Sequence, residues 1–189
     1  MCLLGTDQRL NASGQHINFR PQGSGEILFS RVFSPTADAL YVPDGNWKDF
    51  CLEAPDRLSE PDLMGKSVDL HSGFRSVAVS ETLFQQDDLI SYLPEAGRWY
   101  EGLQVLYVVV GPQPNGKKGP WRWPLEGLDG GVFLWNRDKE EFVFQEGSAP
   151  SGKGLYDRIR EGAERGLREP LIECDLESFM LQPVFTARK

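Results

Sequence analysis

The longest uninterrupted hydrophobic run of the chain lies near its middle and predicts a buried strand. The run is residues 105–110 of the segment 103–110, which reads LQVLYVVV, and such a β-branched run is typical of a strand buried on both faces. We therefore expect this strand at the centre of a sheet. Other strands are predicted from short apolar or alternating segments bounded by turn formers. These segments are residues 26–33, 74–79, 131–135, 141–145, 171–173 and 178–185.

Helical patterns are fewer and shorter than strand patterns. Residues 155–165 have helical character, although they include Gly162, and glycine lowers helix propensity. Ser80 is a suitable N-cap for a short helix with one hydrophobic face. Residues 43–46, reading PDGN, predict a turn, and residues 55–66 predict a loop. The hydrophobic face of the short helix capped by Ser80 would consist of Leu83, Phe84, Ile90 and Leu93.

Since strands outnumber helices, the pattern favours an α+β fold with a strongly twisted, mainly antiparallel sheet and a few short helices. Residues 1–24 are polar and rich in turn formers, and they predict an N-terminal arm. Residues 25–189 would then form a single α+β domain, which is an ordinary size for one domain.

Charge and composition exclude several classes of protein. The chain has 20 lysines and arginines against 28 aspartates and glutamates, a net charge of −8. Nucleic-acid binding is therefore not expected, because phosphate contacts need clustered basic side chains. An acidic protein can instead meet a basic partner, although a solvated acidic surface explains the same charge. No apolar run approaches the length of a membrane span, and no secretory signal is predicted.

The cysteines and histidines predict neither a disulfide framework nor a metal site. The three cysteines, Cys2, Cys51 and Cys174, have no paired spacing and indicate reduced thiols in a cytosol. The two histidines are far apart in sequence, so no metal is expected.

Two motifs invite a ligand-binding interpretation. Residues 111–117 match the spacing of a phosphate-binding loop, but Lys118 stands where a serine or threonine should hold magnesium. The prolines that follow also oppose the helix that such a loop requires. Residues 121–123, reading WRW, could stack on a flat ligand or pack one face of an edge strand, and packing is favoured.

Several isolated side chains are candidates for a site. Arg31 in an apolar strand needs a polar or anionic partner, so it belongs either to an edge strand or to an anion-binding cleft. Ser76 and Ser80 could orient a ligand or a glutamate, or cap the following helix. Glu169 could stabilise a developing cation, although most such residues are solvated. Tyr41 is a candidate for stacking on a ring, with core packing as the alternative.

Taken in order, these residues resemble the Arg-Ser-Glu class of mono-ADP-ribosyltransferases. The arginine lies in LFSRVF, the serine in FRSVAVSET and the glutamate in LREPLIE. Within that class the chain is similar to a small toxin group that includes a type VI secretion effector. That similarity rests on residues 130–134, 142–150 and 178–183, which read GGVFL, FVFQEGSAP and SFMLQP.

This resemblance implies an ADP-ribosyltransferase-like split β-fold with NAD as the substrate and no metal. Arg31 would bind the phosphates of NAD, Ser80 or Ser76 would orient the acid, and Glu169 would stabilise the cation as nicotinamide leaves. Ser76 and Tyr41 are further candidates for contacts with NAD. Leu167 stands where the family has a second acidic or amide residue, which favours NAD hydrolysis over transfer of ADP-ribose to a target.

A toxin of this kind implies an antitoxin or immunity partner, with the acceptor of ADP-ribose unidentified. It would lie in the cytoplasm or be delivered into a target cell without a cleavable signal peptide. The alternative function is a non-enzymatic acidic binding protein, itself an immunity or regulatory partner.

Overall fold

The computed structural model describes residues 2–5, 15–19, 29–34, 37–59, 74–99, 102–114, 124–127, 131–147 and 153–186. The strands are β1 (Cys2–Gly5), β2 (Gln15–Phe19), β3 (Phe29–Phe33), β4 (Asp38–Val42), β5 (Ser76–Ser80), β6 (Val105–Val109), β7 (Leu125–Gly127), β8 (Gly131–Asn136), β9 (Glu141–Glu146) and β10 (Met180–Thr186). The helices are α1 (Asp44–Leu58), α2 (Asp87–Ile90), α3 (Leu93–Trp99), α4 (Lys153–Gly166) and α5 (Arg168–Glu173), and a 3₁₀ helix spans Glu81–Gln85.

Eight of the described strands form one mixed sheet. Seven of them follow the order β1-β4-β5-β6-β10-β8-β9, and β7 pairs with β10. The four central strands, β4, β5, β6 and β10, run parallel to one another. Antiparallel strands flank them, with β1 on one side and β8 and β9 on the other. The strands β2 and β3 form a separate antiparallel pair.

The strand β6 lies in the middle of the main sheet, as its hydrophobic run predicts. Leu106 and Val108 face the helices, whereas Tyr107 and Val109 face the other side. Both faces of the strand are therefore covered, which is why the sequence shows a continuous apolar run instead of an alternation.

The helices pack on one face of the sheet and enclose the larger core. Residues two apart on each strand share this face. The helices contribute side chains at helical spacing, such as Ile159 and Ala163 of α4. Burying each large aliphatic side chain contributes about 1.5–3 kcal/mol, so this layer dominates stability. The strand residues in this core are Leu40, Val42, Val77, Val79, Leu106, Val108, Phe133, Trp135, Phe142 and Leu181.

A smaller hydrophobic cluster lies on the opposite face of the sheet. It contains Ala39, Tyr41, Ala78, Val109 and Val184, with Tyr107 and Leu125 packed against it.

The mixed α/β architecture with a few helices is shown, but the expectation of a mainly antiparallel sheet is wrong at its centre. Parallel neighbours require crossover connections, and α1 supplies the one between β4 and β5. Sequence patterning missed this helix because residues 43–46 predict a turn. In the structure Asp44 starts α1, and Trp47, Phe50 and Cys51 form its buried face.

Residues 171–173 were expected to form a strand, and this prediction is also wrong. They belong to α5, in which Pro170 and Leu171 are buried. Proline is tolerated in the first turn of a helix because the amides there have no intrahelical partner. Residues 38–42, which no pattern singled out, form the fully buried strand β4.

Other segments agree with the predictions. The strands β5, β8, β9 and β10 and the helix α4 fall where the pattern places them, within a few residues.

The strands β1 and β2 lie inside the segment predicted as an arm, and β1 pairs with β4. Within the described ranges, no helix is long and apolar enough to cross a membrane.

Candidate functional site

The carboxyl ends of the parallel strands β4, β5 and β6 lie together along one boundary of the sheet, which we call the carboxyl edge. The opposite boundary, where these strands begin, is the amino edge. The last residues of these strands are Val42, Ser80 and Val109. In sheets with parallel strands, ligands bind outside the carboxyl edge, because the loops that follow the strands converge there. The side chains that follow the three strands are mostly polar. We call Asp44, Ser80, Glu81, Thr82 and Gln113 the carboxyl-edge cluster.

Hydroxyl groups connect the end of β5 to the start of α1. Thr82 Oγ1 donates to Asp44 Oδ2, and Ser80 Oγ lies 2.9 Å from Thr82 Oγ1. Since the single Thr82 hydroxyl proton points to Asp44, the Ser80 hydroxyl is the donor to Thr82. The backbone amide of Thr82 in turn donates to Ser80 Oγ at 3.2 Å. Ser80, only 1 % exposed, thus has its hydrogen bonds satisfied inside the protein.

Ser80 therefore caps a helix, as one of the two sequence interpretations proposed. The helix is the 3₁₀ segment Glu81–Gln85, which is followed by the short helices α2 and α3. Leu83, Phe84, Ile90 and Leu93 are all buried, as expected, but they lie on three successive short helices and not on one.

Glu81 connects the end of β5 to the loop after β6. Its Oε1 accepts a hydrogen bond from the Gly111 amide at 2.9 Å. Gly111 has a φ of 76°, in the left-handed region that glycine adopts without a steric cost. The positive φ therefore explains the glycine at this position, the first of the phosphate-loop spacing, without phosphate binding.

Gln113 connects the loop after β6 to β6 itself and to β4 through hydrogen bonds. Its Nε2 donates to the carbonyls of Val109 at 3.1 Å and Gly111 at 2.7 Å. Its Oε1 accepts from the hydroxyl of Tyr41 at 2.9 Å. Because Tyr41 is only 2 % exposed, its ring faces are covered by protein, as expected of core packing.

The electrostatic character of this edge is that of a hydrogen-bond acceptor. Asp44 and Glu81 are both partly buried, and neither forms an ion pair within the described part of the chain. A carboxylate has about four acceptor sites, and each of these two has one hydrogen bond. On the second face of the sheet, burial raises the pKa of Tyr107, so this phenol stays protonated.

Ser76 and Ser80, two predicted site residues, lie at opposite ends of β5. They share a face of the strand but are four residues apart, about 13 Å along it. Only Ser80 belongs to the carboxyl edge. Ser76 pairs with Val105 at the amino edge, where β6 begins.

The structure does not bring Glu169 to Ser80. Glu169 is exposed on α5, and its neighbour Arg168 donates to the carbonyl of Glu140 at 2.8 Å. Glu140 belongs to the turn after β8, which lies beside Met180, where β10 begins. The turn and Glu169 are therefore at the amino edge of the parallel strands, whereas Ser80 is at the carboxyl edge.

The backbone of Arg31 lies in β3, paired with Ile17 of β2. Its side chain lies outside the described part of the structure, as do residues 115–123 with the basic and tryptophan motifs. Whether Arg31 meets Ser80 or Glu169 thus stays a prediction.

The sequence interpretation missed Asp44, Thr82 and Gln113 as a group. Asp44 is an acidic residue in the first turn of a helix, which is a recognisable signal, but residues 43–46 also match a turn. The hydrogen bond between Gln113 and Tyr41 joins residues 72 positions apart and has no local signal. Among the described residues, no group of three or more His, Cys, Asp or Glu side chains could hold a metal ion.

The described residues define a mixed α/β protein with helices on one face of its sheet and an acidic cluster at the carboxyl edge of its parallel strands. Comparison with known proteins adds no relative, since no family model, no curated protein and no solved structure matches the chain.

Proposed function

We propose that this chain is a binding protein that takes a basic partner at the carboxyl-edge cluster. One observation carries the proposal: Asp44 and Glu81 are partly buried carboxylates without an ion pair in the described part of the structure. Carboxylates only accept hydrogen bonds, so the matching group must donate them. Ammonium and guanidinium groups do so and also neutralise the charge.

The overall charge supports the same class of partner. A net charge of −8 attracts a cationic molecule over a distance and raises its association rate at low ionic strength. The rigid hydrogen bonds of Ser80, Thr82 and Gln113 would hold the cluster in place, which lowers the entropy lost on binding.

Titration with a hexa-arginine peptide tests this proposal. We expect the double variant Asp44→Asn/Glu81→Gln to bind the peptide at least tenfold more weakly, a change of about 1.4 kcal/mol. The matched control is Asp49→Asn/Glu161→Gln, which removes the same charge from two exposed carboxylates elsewhere. Calorimetry on both, with melting curves to verify folding, separates a local site from net charge. An equal loss in the two double variants would contradict the proposal, as would a wild type that does not bind.

The NAD-cleaving function is a second candidate, and with it the ADP-ribosyltransferase-like fold. One observation favours it: Ser80 is the last residue of β5 and Glu81 follows it directly, so a serine and a carboxylate are adjacent at a strand end. It ranks second because an acceptor cluster repels the phosphates of NAD unless Arg31 or another cation offsets this charge.

Release of free nicotinamide from NAD tests the second function. The variants Glu169→Gln and Glu81→Gln distinguish the predicted acid from the one that lies next to Ser80. Loss of release in Glu169→Gln alone supports the predicted catalytic residue, and loss in Glu81→Gln alone transfers that role to the carboxyl edge. A wild type that releases nicotinamide only at the background rate eliminates this function.

A further inference from the structure

The strand β9 ends the main sheet and has an open edge. In the described part of the chain it pairs with β8 alone. One side of its backbone therefore has no neighbouring strand there. Such an edge offers a row of amides and carbonyls to another extended chain.

A side chain already occupies the first position along this edge. The Phe142 amide donates to Glu164 Oε1 of α4 at 3.1 Å, so it points away from β8. Amide direction alternates along a strand, which directs the amides of Phe144 and Glu146 outward as well. The Glu164 carboxylate thus takes the place that the carbonyl of an added strand would have, and the next two amides face no strand in the described part of the chain.

The side chains of β9 also suit a partner strand. Val143 and Phe144, on opposite faces, are each 40 % exposed, and Leu134, which pairs with Val143, is 38 % exposed. The exposed carboxylates of Glu146 and of Glu141, whose Oε1 lies 3.8 Å from Lys139 Nζ, flank these apolar side chains. A complementary segment would be apolar in the middle and basic at both ends.

We propose that the open edge of β9 binds an extended, basic segment of another protein by strand addition. Main-chain hydrogen bonds would hold the added strand, and its alternate side chains would contact Val143 and Phe144. A second copy of this chain is disfavoured, because it would bring the same glutamates and the same net charge of −8 against themselves. This site is separate from the carboxyl-edge cluster, since β9 lies three strands, about 14 Å, beyond β6.

The test uses the peptide KTVTVTK with blocked ends, its counterpart ETVTVTE, and a KTVTVTK analogue N-methylated on every residue, so that both edges of the peptide lose their amide donors. We expect only unmethylated KTVTVTK to bind, since methylation removes main-chain donors and leaves the side chains. Hydrogen exchange should then slow at Phe144 and Glu146. The variant Glu141→Lys/Glu146→Lys should bind ETVTVTE instead, whereas the control Asp49→Lys/Asp56→Lys, at two exposed positions of α1, should keep its preference for KTVTVTK.

Three results would overturn the proposal: no binding of KTVTVTK, equal binding of the methylated analogue, or binding without slower exchange in β9. Loss of binding in Asp44→Asn/Glu81→Gln with no effect of the β9 variant would also overturn it, because the peptide would then occupy the carboxyl-edge cluster. Failure at one site leaves the proposal for the other unaffected.

Discussion

Thr82 and Asp44 join the ends of two neighbouring parallel strands, because the Thr82 hydroxyl after β5 donates to the Asp44 carboxylate after β4. The same hydroxyl accepts from Ser80, so a chain of hydrogen bonds ends on the first residue of α1. A carboxylate at a helix N-terminus also interacts favourably with the helix dipole. This relationship fixes the geometry of the candidate site.

Replacing Thr82 by valine should destabilise the protein. The side chain keeps its shape, but the Ser80 hydroxyl loses its acceptor and Asp44 loses a donor. We expect the free energy of unfolding to fall by about 1–3 kcal/mol, which urea denaturation measures. Thr186→Val is the control, since that hydroxyl bonds the Pro112 carbonyl at the surface, and its removal should change stability by about 0.5 kcal/mol or less. Equal effects of the two substitutions would contradict the role assigned to Thr82.

Replacing Gly162 by alanine should also destabilise the protein, although alanine favours helices. A Cβ there would lie 2.6 Å from a ring carbon of Phe84 and 2.7 Å from the terminal methyl of Ile90. Both neighbours are buried, so we expect a loss of about 1–3 kcal/mol from overpacking. In the same helix, Gly154→Ala meets only the Arg158 side chain at 3.9 Å and should stabilise by about 0.5–1 kcal/mol. Thermal melts of both variants check the opposite signs.

The buried thiol of Cys51 should resist alkylation in the folded protein. Burial raises the pKa of this thiol, and the Glu95 carboxylate raises it further, so little reactive thiolate forms at pH 8. We expect iodoacetamide to modify the partly exposed Cys174 in native protein and to reach Cys51 only after unfolding in urea. Peptide mass spectrometry distinguishes the two, and modification of Cys51 at the rate of Cys174 would be incompatible with this packing.

Stability should decrease in alkaline solution for the same reason. The raised pKa of Cys51 means that the folded state keeps a proton that the unfolded state loses above about pH 8.5. The contribution of this proton to the free energy of unfolding is fully present below this pH. It is lost as the pH rises, by up to about 1.4 kcal/mol per pH unit for one proton. Burial raises the pKa of Tyr107 too, which adds to the loss above about pH 10.

Urea denaturation between pH 8 and 10 measures this decrease. The slope should be smaller in Cys51→Ala, whatever the absolute stability of that variant. An unchanged slope in Cys51→Ala would assign the proton to another group.

Local patterning was sufficient where a segment is covered on both faces or alternates clearly. The central strand β6 and the hairpin strands β8 and β9 follow directly from their side chains. The helix α4 was recognised as well, but the reason for Gly162 was not, because its contacts with Phe84 and Ile90 involve residues more than 70 positions away.

The candidate site shows the same division. The role of Ser80 as a cap depends on the next two residues and could be predicted. Its distance from Glu169 could not, because it depends on which edge of the sheet each loop reaches. A parallel crossover places the ends of β4 and β5 at one edge, while the antiparallel β8 turns back toward the other.

The amino-acid order alone determined the buried strand β6, the capping role of Ser80 and the acidity of the chain, since these properties depend on neighbours in sequence. Only the tertiary structure decided that the central strands are parallel, that Asp44, Thr82 and Gln113 come together, and that β9 is left at an open edge. Strand neighbours are chosen by hydrogen bonds and side-chain packing between distant segments, and no local pattern encodes that choice.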